Sequence, residues 1–329
     1  MNVLITGGTG FIGSRLALKH LAKGDCVTVL GQENTAAEAA NRRVMEAQGV
    51  TVALASVTDR QSVFALLPGI DLAYHLAAAQ HEANVPDQRF WDVNVTGTKN
   101  ILEASIDAGV TRFVHGSTIG VYGPTSAGYL DERSPLEPDN IYGLTKLEGE
   151  KLVGLYQDRL PIVLIRISET YGPGDLRLLK LFKAIQRKFF FMIGSGRNMH
   201  HPIYIDDLIE GLLLAATAEK AVGKTLVIAG KEALTTYDMV RIIAAALGTS
   251  IPSVRAPLAI FLTLATVMEM LCRPVGIQPP LHRRRMDFFR KSYMFRQEEA
   301  FRHLGFVAKY GFREGIAQVT KWYTQMGYL

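Results

Sequence analysis

A glycine loop near the start of the chain is the feature that most constrains its fold. Gly7, Gly10 and Gly13 are spaced G-x-x-G-x-x-G, between an apolar strand-like run, Asn2–Thr6, and a helical pattern, Phe11–Lys23. The first glycine permits a tight turn, the second lets the backbone approach a pyrophosphate, and the third allows close helix–strand packing. The N-terminus of the helix favours negative charge. The loop therefore predicts a dinucleotide-binding unit.

Strand-like and helix-like segments alternate through the first 170 residues. This alternation, with nearly continuous apolar strands, indicates a parallel sheet covered by helices on both faces. We expect an α/β fold with a doubly wound parallel sheet of the Rossmann type over residues 1–170. The later predicted strands are Cys26–Leu30, Val50–Leu54, Asp71–His75, Arg112–His115 and Ile162–Ile167, and the later helices are Ala36–Gln48, Asp59–Leu67, Asp92–Ala108 and Asn140–Arg159.

The pattern becomes less regular after residue 170. It predicts strands at Pro202–Ile205 and Thr225–Ala229, and helices at Asp207–Ala218, Thr236–Leu247 and Arg313–Met326. We expect residues 203–229 to return to the cofactor-binding domain. Residues 171–202 and 230–329 are expected to form a smaller C-terminal α/β substrate-binding domain.

The positive charge of the chain lies near its C-terminus. The net charge is +5, and residues 255–329 hold 12 Lys/Arg and 5 Asp/Glu, so the other 254 residues carry 5 − 7 = −2. This distribution argues against a nucleic-acid groove. Two cysteines are too few for a disulfide framework or a structural zinc site, and no secretory signal is visible. We expect a cytoplasmic protein without a nucleic-acid partner.

The acidic residue that often holds the cofactor ribose is not evident. The end of the second strand is its usual place, and Gly31 stands there, followed by Gln32 and Glu33. Arg42 and Arg43 lie on the next predicted helix and are expected to be solvated. The sequence thus leaves NAD and NADP open.

Tyr142 and Lys146 are four residues apart, so they share one face of a predicted helix. A lysine ammonium near a phenol favours the phenolate, and such a tyrosine exchanges a proton with a substrate oxygen while a nicotinamide exchanges hydride. Ser117 and Thr118 follow the fifth strand, at the sheet edge where ligands bind. A hydroxyl there can hydrogen-bond the reacting oxygen.

These residues together resemble the extended short-chain dehydrogenase/reductases, which include nucleotide-sugar epimerases and dehydratases and 3β-hydroxysteroid dehydrogenase-like enzymes. The resemblance spans more than 200 residues, in the order of that family. The matching stretches are T-G-G-T-G-F-I-G at 6–13, H-L-A-A at 75–78, N-V-T-G-T at 94–98, S-T-x-x-V-Y-G at 117–123, Y-G-L-T-K at 142–146, Y-G-P-G-D at 171–175 and I-Y-I-D-D at 203–207.

The resemblance implies a seven-stranded sheet and a catalytic set of Thr118, Tyr142 and Lys146. Lys146 would also bind the nicotinamide ribose, and Ser56 takes the place of an aspartate beside the adenine. A homodimer through the helices Asp92–Ala108 and Asn140–Arg159 is expected. The implied cofactor-binding residues are Gly7, Gly10, Phe11, Ile12, Gly13, Ser56, Val57, Ala77, Ala78, Asn94, Ser117, Tyr142 and Lys146.

Three departures from the family bear on the substrate. Ile119-Gly120 replace the Asp-Glu pair of dehydratases, which argues against 4,6-dehydration. Glu169 replaces an asparagine that holds the sugar diphosphate in nucleotide-sugar enzymes, and a carboxylate is a poor neighbour for phosphates. His200-His201 replace an Arg-Asp pair; because neighbours on a strand diverge, no metal site is predicted.

The C-terminal third looks like the 3β-hydroxysteroid dehydrogenase-like branch, at 257–272, 278–281, 291–295 and 300–306. The apolar run Ala256–Cys272 contains Glu269 and is shorter than the ~20 residues that span a bilayer. It predicts either a buried helix or a lip that admits an apolar substrate at a membrane surface. Nearby basic residues would meet anionic headgroups, contact a substrate phosphate or be solvated, namely Arg283, Arg284, Arg285, Arg290 and Lys291.

We therefore expect an NAD(P)-dependent oxidoreductase that interconverts a ketone and a secondary alcohol on a largely apolar, sterol- or keto-lipid-like substrate. Peripheral membrane contact by residues 256–296 is an open possibility. Two alternatives stay open: an NAD-dependent nucleotide-sugar 4-epimerase, and a cofactor-binding regulator without turnover. The intact Thr118, Tyr142 and Lys146 set weighs against the regulator.

Overall fold

The computed structural model describes residues 1–80, 85–125, 128–251, 254–272 and 283–329. The strands are β1 (Asn2–Thr6), β2 (Cys26–Gly31), β3 (Thr51–Leu54), β4 (Leu72–His75), β5 (Arg112–Thr118), β6 (Ile162–Ile167), β7 (Thr170–Tyr171), β8 (Met192–Ile193), β9 (Met199–His200), β10 (Ile203–Tyr204), β11 (Thr225–Ile228), β12 (Leu234–Thr235) and β13 (Arg255–Ala256). The helices are α1 (Phe11–Ala22), α2 (Ala36–Gln48), α3 (Arg60–Leu66), α4 (Asp87–Trp91), α5 (Gly97–Asp107), α6 (Ile141–Gly154), α7 (Leu179–Gln186), α8 (Ile205–Thr217), α9 (Thr236–Ala246), α10 (Leu258–Cys272), α11 (Arg283–Arg290), α12 (Glu298–Leu304) and α13 (Phe312–Gln325).

A seven-stranded sheet with the order β11-β6-β5-β4-β1-β2-β3 forms the centre of the molecule. Every pairing within it is parallel. Alternate residues of β1 enter different cores: Val3 and Ile5 pack on one face of the sheet and Leu4 on the other. The predicted α/β fold with a parallel Rossmann sheet is thus confirmed.

The strands β2 and β4 lie on opposite sides of β1, so the order in which strands are added to the sheet reverses at β1. A crevice at the carboxyl edge of the sheet forms where such a change occurs, and ligands bind there in open α/β folds. Thr6 at the end of β1 is level with Leu30 of β2 and His75 of β4. The loops that follow these strands therefore converge on one edge.

Several predicted boundaries differ from the structure, among them the end of α6, at Gly154 rather than Arg159. β5 runs to Thr118 rather than His115, because Phe113 to Thr118 pair continuously with β6. The predicted helix Asp92–Ala108 is the end of a longer helical stretch that begins at Asp87 and contains a π turn, Asp92–Thr96. Glycine is depleted in strands, and Gly116 directly follows the predicted end at His115, which explains the shortened strand prediction.

The region after β6 combines a strand of the main sheet with separate short elements. β11 pairs in parallel with β6, at the edge of the sheet. Three two-stranded pairs, β10-β7, β12-β9 and β13-β8, and helices α7 and α9 to α13 make up most of the rest. The division into a cofactor domain and a substrate domain stays a prediction. Within the described ranges, no helix has the length and apolar character needed to cross a membrane.

Candidate active site

A cavity of about 630 Å³ lies at the carboxyl edge of the sheet. Parts of the chain that are distant in sequence line it: the glycine loop, the ends of β2 to β6, the start of α6 and segments beyond residue 167. Most of the predicted site residues are among its lining: Gly7, Gly10, Phe11, Ile12, Gly13, Ser56, Val57, Ala77, Ala78, Ser117, Thr118, Tyr142 and Lys146.

The glycine loop is tightly packed on one side and open on the other. Gly7 has a φ of 68°, and a Cβ there would lie 2.7 Å from the Ala77 nitrogen. A Cβ on Gly13 would lie 2.4 Å from the Gly7 carbonyl oxygen. At Gly10, by contrast, the Gly7 oxygen, at 3.2 Å, is the single atom within 4 Å of an added Cβ among the described residues beyond its chain neighbours. A side chain on Gly10 would therefore extend into the cavity that this residue lines.

The first turn of α1 fits a pyrophosphate. Gly10 is the N-cap, no side chain caps the helix, and its first turn contains no acidic residue. The first N–H groups of any α-helix lack acceptors within the helix, and the helix dipole favours an anion at this end. The cradle at Gly10 and these N–H groups match the dinucleotide that the sequence predicts.

A carboxylate that the sequence analysis did not select lies at the end of the cavity beside β2. Glu38 lines the cavity together with Gly31, Gln32 and Asn34. Its carboxylate accepts hydrogen bonds from the Asn34 backbone N–H (2.9 Å) and the Thr35 hydroxyl (3.0 Å). The Thr35-x-x-Glu38 capping pattern is visible in the sequence, but it predicts a helix start rather than a ligand contact.

The nearby charges that the sequence analysis considered are paired with one another. Arg42 donates to Glu33 and to Glu46, both at 2.9 Å. Arg42, expected to be solvated, is therefore held between two carboxylates. A Cβ on Gly31 would lie 2.5 Å from the Thr9 Oγ1, so packing excludes a side chain at the usual acidic position.

Asn94 lies outside the lining of the cavity. It is fully buried, and its Oδ1 accepts from the Ala79 N–H at 2.9 Å while its Nδ2 donates to the Thr145 Oγ1 at 2.9 Å. These bonds tie the loop after β4 to α6. A cofactor contact by Asn94 stays a prediction. In the structure Asn94 connects two segments that border the cavity.

The two neighbouring hydroxyls of β5 have different surroundings. The Ser117 hydroxyl donates to the Glu150 carboxylate, which also forms a buried ion pair with Arg166 at 2.8 Å. The Thr118 Oγ1 accepts from the Gly120 N–H at 3.0 Å. Among the described residues no acceptor takes the Thr118 hydroxyl hydrogen, so Thr118 is the one placed to donate to a ligand.

Tyr142 and Lys146 lie in the first two turns of α6, which Asn140 caps by accepting from the Gly143 N–H. Lys146 is 2% exposed, and its Nζ donates to the Gly116 carbonyl at 2.7 Å. Burial lowers the pKa of Lys146 to about 8, against the opposing attraction of Glu150. The ammonium is thus fixed beside the end of β5, in the same cavity as Tyr142.

His200 and His201 turn to different partners, as expected of strand neighbours. The His200 Nδ1 lies 2.9 Å and 3.0 Å from the two carboxylate oxygens of Glu169, which lines the cavity. The His201 Nε2 bonds the Gly230 carbonyl, and its Nδ1 accepts from the Phe295 N–H. His201 is therefore neutral, and burial lowers its pKa.

Apolar side chains from the later part of the chain also line the cavity, namely Leu178, Met239, Phe288 and Phe312. Arg177 also lines the cavity, but Asp175 binds its guanidinium at 2.8 Å and 3.0 Å. None of these residues was selected from the sequence, since no local motif marks them.

The apolar helix α10 is neither wholly buried nor part of this cavity's lining. Ala265 is buried, whereas Ile260, Leu264, Val267, Met270 and Leu271 are exposed by 42–68%. The matching stretch at 278–281 lies outside the described residues.

The basic residues at the end of α11 are matched by acids. Arg290 and Lys291 each form ion pairs with Asp139 and Asp287. These two cations are therefore ion-paired rather than simply solvated, and their contact with a headgroup or a phosphate stays a prediction. Asp139 lies 151 residues from Arg290 in sequence, so sequence reasoning did not pair them.

The sequence profile described as the NAD dependent epimerase/dehydratase family matches residues 3–229. Among relatives, 3beta-hydroxysteroid-dehydrogenase/decarboxylase isoform 2 of Arabidopsis thaliana is 28% identical over 282 residues, covering 80% of this chain and 50% of that protein. This chain therefore spans about half the length of that relative.

Two further proteins match nearly end to end. The N-acetyl-alpha-D-glucosaminyl-diphospho-ditrans,octacis-undecaprenol 4-epimerase of Escherichia coli O157:H7 is 25% identical, covering 96% of this chain and 93% of that protein. The structure of UDP-glucuronic acid 4-epimerase from Bacillus cereus, in complex with UDP-glucuronic acid and NAD, superposes with a TM-score of 0.81 at 25% identity, covering 99% of this chain and 100% of that one.

Proposed function

The chain belongs to the NAD-dependent epimerase/dehydratase family, and from this premise we propose that it interconverts a ketone and a secondary alcohol on a largely apolar substrate. The observation that carries the proposal is the shared cavity. Thr118, Tyr142 and Lys146 line it together with the glycine loop. Hydride chemistry needs a proton-exchanging group and a dinucleotide cradle at one place, and this cavity supplies both.

Each of the three residues has a separate task in the proposed reaction. Thr118 donates its hydroxyl hydrogen to the substrate oxygen, because its oxygen already accepts from Gly120. Tyr142 gives a proton to that oxygen in reduction and takes it back in oxidation. Lys146, held by the Gly116 carbonyl, binds the ribose and places positive charge near the phenol. The bound nicotinamide supplies or accepts the hydride.

Glu38 supports NAD as the cofactor. An acidic residue in this part of a Rossmann site accepts hydrogen bonds from the ribose hydroxyls, and its charge repels the 2′-phosphate of NADP. The local cation Arg42 is paired with Glu33 and Glu46, so it is a poor partner for that phosphate. We therefore assign NAD to this cavity.

A 4-epimerase acting on a sugar diphosphate is the second candidate. The names of the Escherichia coli relative and the Bacillus cereus neighbour favour it, since both are 4-epimerases. Thr118, Tyr142 and Lys146 would serve equally, oxidising and then reducing one carbon. Glu169 and the apolar wall of Phe288 and Phe312 favour the first candidate, because phosphates prefer cations and N–H donors.

We also propose that the outer face of α10 rests on an anionic membrane surface. Its exposed residues, including Leu264 and Met270, form one apolar stripe. The preceding strand β13 pairs with β8, close to Phe189, which is 78% exposed, and to the exposed Arg187 and Lys188. Apolar residues beside cations are the combination that binds interfaces of anionic lipid.

The decisive experiment follows NADH absorbance with two substrates. With NAD⁺ and 5α-androstane-3β,17β-diol, the proposed function predicts net formation of NADH. With UDP-glucose, it predicts neither NADH nor UDP-galactose. Formation of UDP-galactose without net NADH would replace the first candidate by the second. Mass spectrometry of the denatured protein identifies the retained nucleotide, expected to be NAD rather than NADP.

A further inference from the structure

The substrate side of the cavity contains a buried histidine whose protonation state follows from its partners. His200 lies in β9 with 2% of its side chain exposed, and Glu169 follows β6 with 36% exposed. The Nδ1 of His200 faces only the carboxylate oxygens of Glu169 on that side. A carboxylate accepts and does not donate, so Nδ1 carries a hydrogen.

The other ring nitrogen of His200 also faces acceptors. Its Nε2 lies 3.0 Å from the Phe288 carbonyl and 3.0 Å from the Thr236 Oγ1, whose own hydrogen goes to the Asn198 Oδ1 at 2.6 Å. The Asn198 Nδ2, 3.2 Å from Nε2, directs its two hydrogens at the Phe288 and Lys291 carbonyls. Nε2 therefore donates as well.

His200 is thus an imidazolium, with both nitrogens donating. The pKa of His200 is raised although burial opposes this, because Glu169 attracts the charged form. His201 makes the contrast: its Nδ1 accepts from a backbone N–H, so that ring is neutral. The Glu169–His200 pair is an ion pair with one member buried and the other at the cavity surface.

The pair fixes the position of a carboxylate beside Phe288, in a part of the cavity that Thr170 and Arg177 also line. Both Glu169 oxygens lie within hydrogen-bond distance of the His200 Nδ1. The centroids of the Phe288 and His200 rings are 4.6 Å apart. Phe288 contributes both a carbonyl to His200 and a side chain to the cavity. The neighbouring cation Arg177 is attracted by Glu169 but directs its side-chain hydrogen bonds to Asp175 and the Thr170 carbonyl. The lone pairs of Glu169 that do not face His200 can therefore accept from a ligand.

We propose that Glu169, held by the His200 imidazolium, is the specificity-determining residue of this cavity, and that it accepts a hydrogen bond from a second hydroxyl on an apolar substrate. The inference rests on the proposed function, since it concerns the same cavity. A carboxylate attracts hydroxyl donors and repels phosphate oxygens. The substrate class is therefore an apolar alcohol or ketone with a distal hydroxyl and no phosphate.

The test measures binding of two matched steroids by calorimetry to the NADH-loaded protein. 5α-Androstane-3β,17β-diol has the distal hydroxyl, and 5α-androstan-3β-ol lacks it. The wild type should bind the diol about tenfold more tightly, as a hydrogen bond to a charged group implies. Glu169→Gln, which keeps the volume but removes the charge, should reduce this preference to about twofold.

Glu299→Gln is the matched control, because it removes the carboxylate of another Glu–His pair, with His303 on α12. It should keep the full preference for the diol. Glu169→Asp retains the charge on a shorter stem and serves if the glutamine variant does not fold; it should retain the pairing with His200 but lose part of the preference. Circular dichroism checks the fold of each variant.

The outcomes separate this inference from the proposed function. Equal binding of the two steroids by the wild type, binding of neither, or an unchanged preference in both Glu169 variants would overturn the role of Glu169. Tenfold preference for the diol without NADH formation from NAD⁺ would uphold that role and contradict the proposed reaction. Tight binding of UDP-glucose by the wild type that persists in both Glu169 variants would also overturn the role of Glu169.

Discussion

Two parts of the cavity are built in different ways: the part formed by the glycine loop, and the C-terminal wall formed by lining residues beyond β6. In the first, the ligand surface is backbone. Gly7 and Gly13 leave no room for a side chain, and Gly10 leaves space for a ligand. In the second, side chains form the surface, among them Glu169, Phe288 and Phe312. Backbone surfaces suit one shared cofactor, whereas side-chain surfaces set the substrate of an individual enzyme.

The central strand β1 and the outer face of α10 differ in burial. Val3, Leu4 and Ile5 of the central strand have no exposed surface, whereas Leu264 of α10 is 47% exposed. Substitutions in this central strand should therefore affect folding. Substitutions on the outer face of α10 should change what the protein binds, and leave the fold intact.

Tyr142→Phe should give the largest effect. Removing the proton-exchanging hydroxyl should lower turnover by about 10³-fold, while NADH affinity changes little. Turnover is measured by NADH absorbance and affinity by calorimetry. Tyr129→Phe, at a tyrosine that is 59% exposed, is the control. Turnover close to wild type in the Tyr142 variant would disprove the proposed mechanism.

Gly10→Val tests whether the cofactor surface is backbone. The φ of −72° at Gly10 suits a valine, so the fold should persist, but the side chain should fill the cradle. NADH affinity should fall by about 100-fold, as expected of overpacking. Gly154→Val, at a glycine with no atom within 4 Å of an added Cβ, should leave affinity unchanged. Equal NADH affinity in the two variants would contradict a cradle at Gly10.

Leu264→Asp tests the outer face of α10. Cosedimentation with vesicles of phosphatidylcholine and phosphatidylglycerol should weaken by about tenfold, as loss of one buried leucine implies. Turnover of a dissolved steroid should not change. Leu155→Asp, at a leucine that is 78% exposed elsewhere, is the control. Failure of the wild type to cosediment with these vesicles would refute the membrane contact.

The pH dependence of NADH binding tests Lys146. Its pKa of about 8 makes the protonated form dominant below pH 8 and the neutral form dominant above it. Affinity should therefore fall as the pH rises, by up to about tenfold between pH 7 and pH 9, following the protonated fraction. Lys146→Met should bind weakly with no such slope, and a slope that survives in this variant would assign the titration to another group.

Glu38→Gln should have the smallest effect. Removing one charge beside the ribose should raise NADPH affinity relative to NADH by about three- to fivefold, as expected of a partly exposed charge. Glu46→Gln, which alters the Arg42 pairing on the same helix, is the control. An unchanged ratio of the two affinities would show that Glu38 does not select the cofactor.

Much of the cofactor half could be predicted because its signals are local. A glycine loop between the first strand and the first helix is typical of a dinucleotide site. Residues spaced four apart on a helix, such as Tyr142 and Lys146, must share a face. The strands β1, β6 and the helix α2 match their predicted bounds. Helix α7 was not predicted, and α11 falls within a stretch that was predicted only to be basic.

The sequence by itself determined the parallel sheet and the glycine loop, since periodicity and backbone freedom act over short distances. The family resemblance added the predicted set of Thr118, Tyr142 and Lys146. Tertiary structure alone decided that Ser117 donates to Glu150, that Glu38 lines the cavity, and that Glu169 pairs with His200. These contacts join residues 31–33 positions apart or meet in a shared cavity. No local pattern encodes them, because their energies depend on partners that only folding brings together.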